Sequence, residues 1–124
     1  MAPLQQSQID GANIFRREGH YWTLSYGGVL VRLKDSKGLR DIARLIEHAG
    51  SRLHVFELTW MASAAAKDSP DKIERARVAV TMRIRNAVER IENEHYALGR
   101  HLSRSIETGR FCCYEPETPT EWML

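Results

Sequence analysis

The sequence of 124 residues has little of what recognisable catalytic chemistry requires. It contains no glycine-rich phosphate-binding loop, no nucleophile elbow, and no paired acids whose spacing indicates proton transfer. Ser36 and Lys37 stand side by side, but helix capping accounts for this serine without catalysis. We therefore predict a protein that is not an enzyme, with no catalytic residue and no cofactor.

Cysteine is also scarce. The two cysteines, Cys112 and Cys113, are adjacent, so a disulfide between them would be strained. They lack the gap that would let both sulfurs reach one zinc ion, and the nearby His95 and His101 are six residues apart. We predict reduced thiols and no metal site.

Long hydrophobic runs and a strong net charge are missing as well. No apolar run approaches the roughly 18 residues that a membrane span requires, and the first residues lack the basic and hydrophobic regions of a leader. We expect a cytoplasmic protein without a membrane partner. The formal net charge of +2 is too small to indicate nucleic-acid binding by itself. The charge is nevertheless segregated, because residues 72–110 hold nine basic and five acidic residues, whereas residues 111–124 contain no Lys or Arg.

The length fits one domain with a single core. We predict a flexible tail over residues 1–12 and a single domain over residues 13–124. Within it, YWTLSYGGVLVRL places β-forming residues on both sides of Gly27 and Gly28, a dipeptide typical of a two-residue hairpin turn. Asp35 or Ser36 can cap a first helix that Gly50 can end.

The rest of the chain is mainly helical in pattern. A short helix is predicted from about Val55, and a long one begins at Ser69 and Pro70 and keeps its apolar spacing to about Glu94. A further short helix ends at Gly109, and the tail RFCCYEPETPTEW indicates a strand, a turn and a second short strand. The fold class is therefore α+β: an N-terminal β-hairpin, short helices, one long helix and a C-terminal β-hairpin.

Two resemblances rest on these segments. GGVLVRLKDSKGLRDIARLIEHAGSRLHVFELTW resembles the opening of winged-helix domains such as the OmpR/PhoB-type output domains of bacterial response regulators. YWTLSYGGVLVRLKDSKGLRDIARLIEHAG and ALGRHLSRSIETGRFCCYEP are similar to the C-terminal segment of large bacterial regulatory ATPases. The first resemblance implies a winged-helix-like fold, with the long helix in the position of the recognition helix and SIETGRFCCYEP near the wing.

Taken together, these observations predict a DNA-binding transcriptional regulator of winged helix-turn-helix type, with double-stranded DNA as its partner. Guanidinium groups grip phosphates and pair with guanine edges, so arginines on the long helix are the leading candidates. We place Arg83 and Arg85 first. The remaining candidate DNA contacts are Arg75, Arg77, Thr81, Lys34 and Lys37. Interspersed glutamates leave open that this face is only solvated.

The alternative is a non-catalytic protein-interaction or oligomerisation module on a winged-helix scaffold that has lost DNA binding. Val78 and Met82 fall opposite the main apolar stripe of the long helix, where either a neighbouring element covers them or a partner, such as a second copy in a homodimer, does. These two apolar positions, the low net charge and acidic residues in the predicted wing, which would repel phosphates, favour this alternative. Those acids are Glu115, Glu117 and Glu121. The chain also departs from the winged-helix family in that NEHYALGRHLSRSI separates the long helix from the wing.

Overall fold

A computed structural model describes residues 12–59 and 69–124. The predicted tail lies almost entirely outside these residues. Trp60, the last residue of the segment that carries the winged-helix resemblance, also lies outside them. The elements in chain order are β1 (Ile14–Glu18), β2 (Tyr21–Tyr26), β3 (Val29–Lys34), α1 (Lys37–Glu47), β4 (Leu53–His54), α2 (Val55–Leu58), α3 (Pro70–Glu94), α4 (Tyr96–Ser105), β5 (Ile106–Glu107) and β6 (Phe111–Tyr114). The predicted mixed α+β class is confirmed.

The N-terminal sheet is antiparallel in the order β1-β2-β3. Gly27 and Gly28 have φ angles of 58° and 84°, which only glycine adopts without strain, and they form the predicted hairpin turn. The sequence did not predict β1, which adds a third strand beside β2. Its sequence IFRRE buries only Phe15 fully, so it lacks the alternation that marks a half-buried strand.

The helices begin where the sequence predicts. Ser36 Oγ accepts a hydrogen bond from the Leu39 amide at 3.3 Å and caps α1, while Ser69 Oγ accepts from the Lys72 amide at 3.4 Å and caps α3. The long helix ends at Glu94, as its periodicity predicts. The first helix ends at Glu47, before Gly50. Gly50 has a positive φ angle and turns the chain toward β6.

The C-terminal part contains a hairpin, but its strands differ from the predicted ones. Helix α4 ends at Ser105 rather than near Gly109, and the residues that follow form β5, which pairs with β6. The segment beyond β6 contains Pro116 and Pro119, which have no amide hydrogen to donate to a ladder. Near the end of the chain, Met123 instead forms a parallel bridge with Ile14 of β1. A small second sheet thus has the order β4-β6-β5.

Helix α3 lies between α1 and α4, and glycine permits both contacts. A Cβ atom at Gly38 of α1 would lie 2.8 Å from Ala87 Cβ and would overlap the carbonyl of Arg83. A Cβ atom at Gly99 of α4 would lie 2.8 Å from the backbone nitrogen of Glu92. Both neighbouring helices therefore approach α3 at backbone distance, and core side chains fill the remaining space. From α3 these are Val80, Ile84, Ala87 and Ile91.

Asp35 joins the N-terminal sheet to α1. Its carboxylate accepts hydrogen bonds from Trp22 Nε1 of β2 at 2.7 Å and from Arg40 of α1, and it forms an ion pair with Arg17 of β1 at 3.1 Å. The Arg40 guanidinium is the main cause that lowers the pKa of Asp35 from 3.8 to about 2, although partial burial opposes it. The charged form of Asp35 therefore stabilises the fold.

Replacement of Gly99 by alanine should destabilise the protein by about 2 kcal/mol, because the new methyl group would overlap the backbone of α3. In an open helix the same change would stabilise by roughly 0.5–1 kcal/mol. Denaturation in urea measures the difference, and Ser103→Ala on the exposed side of α4 is the control, expected to change stability little. A Gly99→Ala variant as stable as wild type would contradict the close approach.

Asp35→Asn should lower the free energy of unfolding at pH 7 by about 1 kcal/mol once solvent screening is allowed for. Because the folded-state pKa is depressed, the wild-type advantage is present above pH 3.8 and disappears as the pH falls toward 2. Urea unfolding of both proteins across this range tests the trend, with the exposed Glu115→Gln as a control. A difference that stays constant with pH would rule out the carboxylate as its source.

Candidate nucleic-acid interface

Arg83, the first of the predicted DNA contacts, is engaged inside the protein. Its guanidinium donates to both carboxylate oxygens of Asp41 on α1, at 2.9 Å and 3.1 Å. The side chain of Asp41 is only 5% exposed and that of Arg83 is 26% exposed. Burial raises the pKa of the Asp41 carboxyl, and the hydrogen bonds and charge of Arg83 act in the opposite direction. Arg83 therefore compensates a buried acid and joins α1 to α3.

The other predicted positions on α3 differ in their surroundings. Thr81 is 9% exposed and its hydroxyl is buried, so this side chain does not face solvent. Arg77 forms a two-point ion pair with Glu74 one turn earlier. Arg75 and Arg85 are exposed. Of the candidates on α3, only these last two present a cation to solvent without an ion pair to another described residue.

Three of the predicted residues meet at a groove between α1, α2 and α3 with a volume of about 880 Å³. Lys37, Arg75 and Arg83 line it, whereas Lys34 lies apart at the end of β3. Further cations in the walls are Arg40, Arg44 and Lys72. The two acids there are engaged: Asp41 binds Arg83, and Glu57 accepts the His54 amide in the cap of α2.

Helix α4 presents a surface that the sequence-based prediction did not include among the candidate sites. Its segment was interpreted only as an insertion between the long helix and the wing. Its solvent side carries the aromatic Tyr96, 68% exposed, together with two arginines and a serine. The helix contains no acidic residue, and that absence is the signal by which the sequence could have revealed it. The exposed or half-exposed polar positions of the helix are Tyr96, Arg100, His101, Ser103 and Arg104.

His95 fixes the start of α4. Its Nδ1 accepts the Leu98 amide at 3.2 Å, so the ring must carry its proton on Nε2, which donates to the carbonyls of Tyr26 at 2.9 Å and Val29 at 3.1 Å. The side chain is buried, and one ring therefore satisfies the helix terminus and the β2–β3 turn together. The orientation of α4 is tied to the N-terminal sheet.

An aromatic cluster supports the middle of α4. His101 Nε2 lies 2.6 Å from the Tyr114 hydroxyl of β6, which also accepts a hydrogen bond from Trp122 Nε1 at 3.0 Å. Tyr26 stacks on both His101 and Trp122. Burial lowers the pKa of His101 and raises the pKa of Tyr114, so both groups favour their neutral forms at neutral pH. The positive charge of α4 thus comes from its arginines.

The acids of the predicted wing lie elsewhere than expected. The tip of the β5–β6 hairpin is Thr108 to Arg110, and the three glutamates all follow β6. Glu117 lines a cleft of about 510 Å³ with Arg100 and Arg104, while the side chains of the other two are exposed. The hairpin still carries an exposed acid directly before its tip, Glu107 of β5, and Glu117 remains close to α4.

Val78 and Met82 lie on the solvent side of α3 and are 46% and 52% exposed. The first alternative, that a neighbouring element buries them, is not what the structure shows.

No protein-family model, curated protein or solved structure in the three comparisons matches this chain. Over residues 12–59 and 69–124, no three His, Cys, Asp or Glu side chains come together in a way that would hold a metal ion. None of the helices described there combines the length and apolarity that crossing a membrane requires.

Arg83→Met should lower the free energy of unfolding by about 3 kcal/mol, because Asp41 is left buried without its partner. The double variant Asp41→Leu with Arg83→Met should recover at least half of that loss, since no buried charge remains. Urea denaturation measures both, and Arg85→Met is the matched control, expected within about 0.5 kcal/mol of wild type. Equal stability of the Arg83 and Arg85 variants would show that the ion pair contributes nothing.

Proposed function

We propose that this protein binds double-stranded DNA with a winged-helix-like unit in which α4, rather than the long helix, enters the major groove. The observation that carries the proposal is the solvent side of α4, which presents Arg100 and Arg104 beside Tyr96 and Ser103 on a helix without acids. Such a surface suits phosphate contacts and readout of base edges.

The order of elements supports this choice of helix. In winged-helix domains the recognition helix runs almost directly into the wing, and α4 passes into β5 with no intervening residue. Strand β4, between α1 and α2, pairs with β6, the second hairpin strand, and Tyr114 of β6 contacts His101 of α4. Arg110 at the hairpin tip is exposed and adds a cation to the same part of the chain.

The properties of α3 also support it. The long helix carries five acids interspersed among its cations, and its leading candidate, Arg83, is held by Asp41. The role of a transcriptional regulator follows from the resemblance and belongs to this proposal.

DNA binding should be seen in a titration of fluorescent mixed-sequence duplex, with an affinity whose logarithm falls linearly with the logarithm of salt concentration. Arg100→Ala with Arg104→Ala should weaken binding at least about tenfold and make the salt slope shallower by about 2, since each phosphate contact contributes about 1. Both arginines keep part of their surface in solvent, so stability should change little.

The matched control is Lys34→Ala with Arg85→Ala, which removes two exposed cations predicted from the sequence alone. This pair should bind DNA nearly as wild type does. Binding lost in the control but kept in the α4 pair would return recognition to the long helix, and no binding by wild type at low salt would overturn DNA binding altogether.

A second candidate function is favoured by one observation, the exposure of Val78 and Met82. A non-catalytic interaction module would use this strip of α3 to contact a protein partner.

A further inference from the structure

The solvent side of α3 carries an apolar strip. Val78 and Met82 are four residues apart and so neighbours on the helix surface, and the exposed Ala79 lies beside them. A helix whose opposite side already packs into the core gains nothing from large apolar side chains in water. Two neighbouring apolar side chains make only a small patch, so the case for a contact with another protein rests on them together with the charges beside them.

Charged residues flank the strip symmetrically. Arg75 lies seven residues before Met82 and Glu89 lies seven residues after it, on the same side of the helix. Both side chains are exposed, and neither forms an ion pair with another described residue. The surface is therefore positive at one end, apolar in the middle and negative at the other end.

We propose that α3 packs antiparallel against α3 of a second copy of this chain, across a two-fold axis that passes near Met82. An isologous contact presents the same surface twice, so each Arg75 then faces the partner's Glu89, and the two methionines meet at the centre. The positive end of one helix covers the negative end of the other. This inference does not depend on DNA binding.

The charges also select the register. An axis midway between Val78 and Met82 would align Arg75 with the partner's Arg85 and Asp71 with the partner's Glu89, and like charges placed opposite each other oppose association. With the axis at Met82 neither repulsion arises. Arg75 faces the partner's Glu89, and both Arg85 and Asp71 face uncharged residues of the partner. Few apolar side chains contribute, so the dimer should be weak and sensitive to salt.

A charge-swap series with the full chain tests the proposal. Wild type should associate reversibly in sedimentation experiments over a concentration series. Arg75→Glu and Glu89→Arg should each weaken association at least about tenfold, because each places like charges opposite one another. The double variant should regain most of the wild-type affinity. The two positions are about 21 Å apart along one helix, so they cannot restore each other within a single chain.

Two further variants make the result specific. Met82→Glu should abolish association, because it places two negative charges at the axis. Arg32→Glu makes the same charge change as Arg75→Glu at an exposed site on β3, away from α3, and should leave association nearly unchanged. A wild type that remains monomeric, a dimer insensitive to Met82→Glu, or a double variant no better than the singles would each overturn the proposal. A monomer that still binds DNA would overturn this inference alone.

Discussion

The close approach of two helices to α3 is the constraint on which the rest of the structure depends. Gly38 brings the start of α1 against the backbone around Arg83, and Gly99 brings α4 against the backbone around Glu92. These contacts occupy two sides of α3 and leave a third side to solvent. A polar side chain of α3 that lies at one of these contacts interacts with the neighbouring helix and is therefore not free to bind a ligand.

Arg83 illustrates this consequence. Its position on α3 is one turn before Ala87, the residue that Gly38 contacts, so its guanidinium reaches the buried Asp41 of α1. The sequence ranks Arg83 and Arg85 together as the leading DNA contacts, although the geometry of the long helix already places Arg83 on the flank of the apolar stripe and Arg85 further round. In the structure they lie on different sides of it, one in a partly buried ion pair and one exposed. The helical pattern places Arg83 beside the apolar stripe, but it does not reveal that the neighbouring helix α1 supplies Asp41 as the partner of Arg83.

Local signals predicted much of the fold. Two glycines defined the hairpin turn, Ser36 and Ser69 with Pro70 defined helix starts, and apolar spacing carried α3 to its observed end. The errors involve pairing between distant segments. Strand β1 owes its existence to β2, and Ile106 extends as a strand because β6 lies beside it, which no local pattern reveals. The engagement of Arg83 by Asp41 depended on the same kind of distant contact. The absence of acids in α4, in contrast, is a local signal that the sequence does carry.

Helix α4 owes its suitability as a binding surface to the groups that hold it. His95 anchors its start to the β2–β3 turn, and the hydrogen bond between His101 and Tyr114 anchors its middle to β6. These side chains and the close contact at Gly99 hold the inner side of the helix, and Arg100 and Arg104 form no ion pair with another described residue. No acid within α4 competes for them either. A helix held in this way would meet phosphates without rearranging its backbone, whereas Arg77 and Arg83 of α3 would first have to leave their ion pairs.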